Sequence, residues 1–200
     1  MDFKGSRCAL CGRPVPYDYS FKCESCMSED VKYFSAGLCV FPYSKVRKSV
    51  HILKYYGGSI NAKPYARIMY DYFRKTNRLS LEDFDAVTFV PMHPEKERRR
   101  WYNQAKVIAE EFSRITGKPC ETFLKKTVLS EAQSLKSKDE RKTNVENTFS
   151  VVSPEGIKDK RILIIDDVLT TGSTINECAK ALIDGGADRV MFMTFAYGGV

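Results

Sequence analysis

Apolar residues recur at helical spacing between Ser44 and Phe73. Beyond them, continuous apolar runs alternate with amphipathic stretches. Ser44 is placed to cap a helix carrying Val46, Val50 and Leu53 and stopped by Gly57-Gly58. A second helix is predicted from near Ala62, with Pro64 in its first turn and Ile68, Met69, Tyr72 and Phe73 at helical spacing. Residues 31–43 read as a short hairpin turning at Ala36-Gly37. From residue 85 the pattern becomes strand and helix in turn. Asp85–Met92 reads as a buried strand, and Arg100–Thr116 as a helix ended by Gly117. Residues 121–127 and 148–152 are strand-like, and Ser137–Glu140 has the form of a capping box. Arg161–Ile165 is a continuous apolar strand, followed by a helix over Ser173–Ile183 and a strand over Arg189–Ala196. Strands apolar on both faces and separated by helices predict an α/β fold, a mostly parallel sheet flanked by helices.

The first thirty residues stand apart, rich in cysteine and turn residues and short of aliphatics. The chain therefore divides into a cysteine module over 1–30, a helical region over 31–80 and an α/β core over 81–200. With 43% apolar residues in 200, a sizeable core is expected. No run of eighteen apolar residues occurs, and Met1–Ser6 lacks the apolar stretch of a signal peptide, so a cytoplasmic protein without membrane insertion is expected. Net charge is +7, and residues 91–142 hold 13 Lys and Arg against 8 Asp and Glu. Such a concentration suits an anionic partner, either the phosphates of a small ligand or a nucleic-acid backbone. A solvated lysine-rich surface would give the same count.

The most informative segment runs from Ile162 through Ile165 into Asp166, Asp167, Val168 and Leu169, and then Thr170, Thr171, Gly172, Ser173 and Thr174. Four aliphatics form a strand that delivers two acids toward the edge where open α/β sheets bind ligands. The small hydroxylated residues then open a helix, whose free N–H groups attract anions. A phosphate held there leaves Asp166 and Asp167 suited to the two hydroxyls of a ribose. The segment resembles the phosphoribosyl-pyrophosphate signature of type I phosphoribosyltransferases. A strand followed by an acidic turn and a Ser/Thr cap, without ligand, is the plainer alternative. Neither Gly-x-x-x-x-Gly-Lys-Ser/Thr nor Gly-x-Gly-x-x-Gly occurs, so triphosphate and dinucleotide loops are unsupported.

Val90-Pro91-Met92-His93-Pro94 leads into Lys96, Arg98, Arg99 and Arg100, read here as guanidinium groups at a helix start that would cradle a diphosphate. Gln133, Arg141 and Asn144 lie in a polar segment suited to a lid, with Arg141 closing over the ligand. Cys8-x-x-Cys11 and Cys23-x-x-Cys26 have the spacing of a structural tetrahedral zinc site. A redox pair or unliganded buried cysteines are the other readings. Cys39, Cys120 and Cys178 read as packing residues, as does His51.

Taken together, Leu53-Lys54-Tyr55, Val90-Pro91 with His93-Pro94, Asn103-Gln104-Ala105, Gln133, Arg141 with Asn144-Val145, Phe149 and the acid–threonine motif resemble the ComF (competence protein F) family of phosphoribosyltransferase-like proteins. Two departures stand out: Trp101 where that family usually has Gly, and Lys96 where Arg is common. The resemblance implies a cysteine-rich zinc head, a hood over 31–80 that recognises the acceptor, and a role in DNA uptake during natural transformation. Magnesium would accompany phosphoribosyl pyrophosphate, and transfer of the phosphoribosyl group would release diphosphate. The alternative is a non-catalytic protein that binds single-stranded DNA, alongside other competence proteins, and keeps the phosphoribosyl site for sensing or structure.

Overall fold

The computed structural model describes residues 6–15, 22–27, 31–55, 62–128 and 148–198. Its strands are β1 (Ala36–Pro42), β2 (Ala86–Phe89), β3 (Leu124–Lys126), β4 (Phe149–Val151), β5 (Arg161–Leu169) and β6 (Arg189–Tyr197). The helices are α1 (Glu24–Met27), α2 (Tyr43–Tyr55), α3 (Ala62–Thr76), α4 (Pro94–Arg100), α5 (Gln104–Thr116) and α6 (Ser173–Asp184). Four strands form an all-parallel sheet in the order β1-β6-β5-β2, while β3 and β4 pair antiparallel in a separate ribbon. The predicted mostly parallel sheet flanked by helices is the fold observed.

The even-numbered aliphatics of β5, Ile162 and Ile164, pack with Ile175, Cys178, Ala179 and Leu182 of α6. Leu163 and Ile165 pack on the other face with residues of α2, α3 and α5. A strand buried on both sides needs apolar side chains at every position, which accounts for its unbroken aliphatic run. Cys39 and Cys178 are fully buried, and Cys120 is partly buried against the α5 side. His51, by contrast, is exposed on α2, with its ring against Tyr55 rather than in the core.

The structure corrects two sequence-based expectations. Residues 31–43 do not form a hairpin: Ala36–Pro42 is one strand, pairing in parallel with β6. Gly37 marks a close approach, because a Cβ there would lie 2.3 Å from the Phe192 ring. The glycine is needed to admit a large neighbour, which in sequence looks the same as a turn. Residues 94–116 are also two helices, broken at Trp101, whose φ of +68° is left-handed. Asn103 restarts the chain as α5 by accepting from the N–H groups of Ala105 and Lys106. The arginines at 98–100 therefore occupy the last turn of α4, not a helix start. Gly57-Gly58 and the Ser137–Glu140 capping box lie outside the described residues.

Candidate functional site

The site arises where β2 ends before β5 does. Pairing between them stops at Phe89 and Ile165, with one more bond from the Val90 N–H to the Ile165 carbonyl at 3.1 Å. Pro91, with no N–H to donate, follows. Strand β5 continues to Leu169, so Asp166 and Asp167 stand inside it but past its neighbour. Helix α5, downstream of β2, covers one face of the sheet and α6, directly after β5, covers the other. Such a divergence opens a crevice at the carboxyl edge of a parallel sheet.

A cavity of about 170 Å³ fills this crevice, lined by Asp166, Asp167, Lys54, Lys96, Arg100, Asn103, Gln104, Lys126 and the Val90–His93 turn. Lys54 Nζ lies 3.2 Å from Asp167 Oδ2, a charge contact without the geometry of a directed hydrogen bond. The Asp167 N–H donates to Asp166 Oδ1 at 2.8 Å. Although Asp166 keeps some solvent exposure as a residue, its carboxyl is enclosed by protein. Burial first, and then the adjacent Asp167 charge, hold that carboxyl well above its ordinary range, against the opposing pull of the Asp167 N–H and Lys54. Burial, with Lys96 nearby, also lowers the affinity of Lys126 for its proton. Two crowded acids facing several cations make a site matched to a ligand with both hydroxyls and anionic groups.

Polar side chains fix the position of Lys54. Gln104 Nε2 donates to the Lys54 carbonyl at 3.4 Å, and the Tyr102 hydroxyl donates to the Leu53 carbonyl. Asn103 Nδ2 donates to the Val90 carbonyl at 3.0 Å. Residues 53–55 and 103–104, distant in sequence, thus form one wall. Lys54 and Lys126 carried no assigned role in the sequence; the short motifs around Lys54 hinted at it, while nothing marked Lys126.

The threonine loop follows β5 directly. Thr170, Thr171, Ser173 and Thr174 are exposed, and Gly172 takes a φ of +93° as the residue before α6. The Thr171 and Ser173 hydroxyls lie 2.9 Å apart, and the Ser173 N–H donates to Thr171 Oγ1 at 3.3 Å. Of the three arginines, Arg100 lines the cavity and stacks over the Tyr55 ring. Arg98 and Arg99 are exposed, and Arg99 lies 3.7 Å from Glu95. Arg141, with Gln133 and Asn144, lies outside the described residues.

The cysteines of both pairs converge beside β1, the edge strand opposite β2. The four sulfurs of Cys8, Cys11, Cys23 and Cys26 lie within 4.8 Å of one another. A tetrahedral ion with bonds of about 2.3 Å requires sulfur separations near 3.8 Å, so the group fits a structural metal with no open position. The Cys11 N–H donates to Cys8 Sγ at 3.4 Å, and one-turn α1 carries Cys26. Hydrogen bonds from Cys11 and Cys26 hold the Cys8 thiol far below its usual range, whereas bonding to Cys26 and Cys8, then burial, push Cys11 far above it. Four sulfurs this close cannot all become thiolates without a cation between them. The head docks on β1: Gly12 has a φ of +75°, and a Cβ there would lie 2.4 Å from the Gly37 carbonyl oxygen. Cys39 Sγ reaches the Cys11 carbonyl at 3.2 Å.

Residues 105–200 match the phosphoribosyl transferase domain family, which makes this a phosphoribosyltransferase-like protein. The chain is 27% identical to competence protein F of Haemophilus influenzae over 188 residues, 92% of this chain and 81% of that protein. It is 26% identical to the DNA utilization protein YhgH of Escherichia coli K12, over 92% of this chain and 80% of that one. Over nine-tenths of its length the chain thus resembles proteins of the ComF type. Among solved structures, a glutamine phosphoribosylpyrophosphate amidotransferase from B. subtilis superposes with a TM-score of 0.49 at 17% identity, covering 84% of this chain. The chain spans about a third of that enzyme, 32% of its length. Among the described residues no helix is long and apolar enough to cross a membrane.

Proposed function

We propose that the crevice binds phosphoribosyl pyrophosphate with magnesium and transfers its phosphoribosyl group to an acceptor nucleophile. The observation that carries this reading is the continuity of three features on one stretch of chain. Paired carboxylates in a crevice are followed within a few residues by a hydroxylated loop, and that loop opens a helix. The helix start and hydroxyls receive the 5-phosphate. Asp166 and Asp167 accept hydrogen bonds from the ribose hydroxyls. Arg100, Lys96 and Lys126 face the diphosphate, Arg98 and Arg99 extend its field from the rim, and Arg141 closes over it. In the reaction the acceptor bonds to C1 as the C1–O bond breaks, and diphosphate leaves with the electron pair. Magnesium would neutralise charge on that leaving group, and the clustered carboxylates beside a lysine suit its presence. The names of the relatives, for competence and for DNA utilization, support a setting in DNA uptake for this chemistry. The basic stretch also supports a second reading, in which single-stranded DNA shares part of the diphosphate surface.

Adding phosphoribosyl pyrophosphate and magnesium is expected to raise the melting temperature, by about 2.7 kcal/mol of linkage at a hundredfold excess over Kd. Asp166→Asn with Asp167→Asn is expected to remove most of that shift while making the ligand-free protein no less stable, since the variant relieves the crowding of two acids. An undiminished shift in the double variant sinks the assignment. Diphosphate release on adding a base or nucleoside separates a transferase from a binding protein.

A further inference from the structure

The cysteine head sends one side chain to the threonine loop. Arg13 follows the first cysteine pair, and its carbonyl accepts from the Cys8 N–H at 2.8 Å while its own N–H lies beside the Cys11 sulfur. Its side chain runs inward: the residue is only 7% exposed, and its buried Nε has no hydrogen-bond partner. Nη2 ends 4.0 Å from where a Cβ on Gly172 would sit, at the start of α6. None of the ion pairs found among the described residues includes Arg13.

This arrangement is unfavourable as it stands. A guanidinium is held, largely out of water, against the positive end of a helix dipole, with a donor unsatisfied. An anion at the start of α6 offsets these costs with attractions of its own. It accepts from the helix N–H groups and the loop hydroxyls, and it supplies the partner that the guanidinium lacks. The geometry points to Arg13 as a binding residue for a phosphate monoester on the Thr170–Thr174 loop, so that the cysteine head completes the ligand site on the core. The inference rests on the crevice reading above and extends it to the 5-phosphate end. It also links two sites thermodynamically. The residue that closes the Cys8–Cys11 turn also touches the ligand, so losing the metal weakens the phosphate and binding the phosphate steadies the head.

Isothermal titration of the full chain with three probes tests this: phosphoribosyl pyrophosphate with magnesium, ribose 5-phosphate, and inorganic diphosphate with magnesium. Arg13→Met is expected to weaken the first two by tenfold or more and to leave diphosphate within twofold. Arg13→Lys keeps the charge without the planar fork and is expected to lose less, though still selectively. Chelation of the metal is expected to weaken ribose 5-phosphate in the wild type but not in Arg13→Met. Unchanged ribose 5-phosphate affinity in Arg13→Met overturns the inference, as does equal loss of all three probes. Should Arg13→Met fail to retain zinc by elemental analysis, Arg13→Lys decides by the same selectivity. A wild-type chain that binds no phosphoribosyl pyrophosphate overturns the crevice reading and this inference together. That outcome is visible before any variant is made.

Discussion

Trp101 stands between α4 and α5 with a φ of +68° and 91% of its surface exposed. A side chain in the left-handed region costs about 1 kcal/mol relative to glycine, and this indole regains little by packing. The chain must turn sharply at this point for Arg100 and Asn103 to face the same crevice. Trp101→Gly is therefore expected to stabilise the protein by about 0.5–1 kcal/mol, read as a higher urea midpoint at unchanged slope. A lower midpoint would show that the indole makes contacts worth more than its strain. At Asp166 the order is reversed. Its enclosed, raised carboxyl is uncomfortable without ligand, and such discomfort is common where a site is built to bind.

Among the elements, the start of β5 is clamped to β2 by Asp85. Its carboxylate accepts from the Arg161 N–H at 2.9 Å, Nε at 3.1 Å and Nη2 at 2.6 Å. The Arg161 side chain and N–H hold the Asp85 pKa down to about 2. Because the folded value is depressed, the stabilisation is present above the unfolded value near 4 and is lost as pH falls toward 2. Asp85→Asn is expected to lower the melting temperature by a few degrees at pH 7, with the gap to wild type closing by about pH 2. A gap independent of pH would exclude the ion pair as its cause. The clamp was not legible in the sequence, because Asp85 and Arg161 are 76 positions apart. What was legible followed from local pattern: α3, α6, β5 and β6 appear within a few residues of their predicted bounds. The acids and the threonine loop could be read as one candidate site because they lie on one contiguous segment. The errors fell where tertiary contact overrides local signal, as at Gly37, or where a break depends on one backbone angle, as at Trp101. The same limit hid Arg13 and Lys126, whose importance comes only from what the fold sets beside them.

For the molecule as a whole, the four-cysteine head suits a structural metal, and its stability is expected to depend on one. About one zinc per chain is expected by elemental analysis of protein prepared in metal-free buffer. Cys8→Ser with Cys23→Ser is expected to lose the zinc and to lower the melting temperature. Iron, or no metal, in the wild type would overturn the zinc reading. The head docks on β1, and among the described residues β1 has its one strand partner in β6, across a separation of 155 residues at the Ser35–Val190 bond. Order of synthesis then matters. While a ribosome is still making β5, the head and β1 have emerged but β1 has no strand to pair with, and the two must wait until β6 is made. Closing so long a loop adds little to the equilibrium cost but much to the waiting time. A nascent chain stalled before Arg189 would expose a cysteine cluster and an unpaired apolar strand together, so the last strand is the latch on which the first depends.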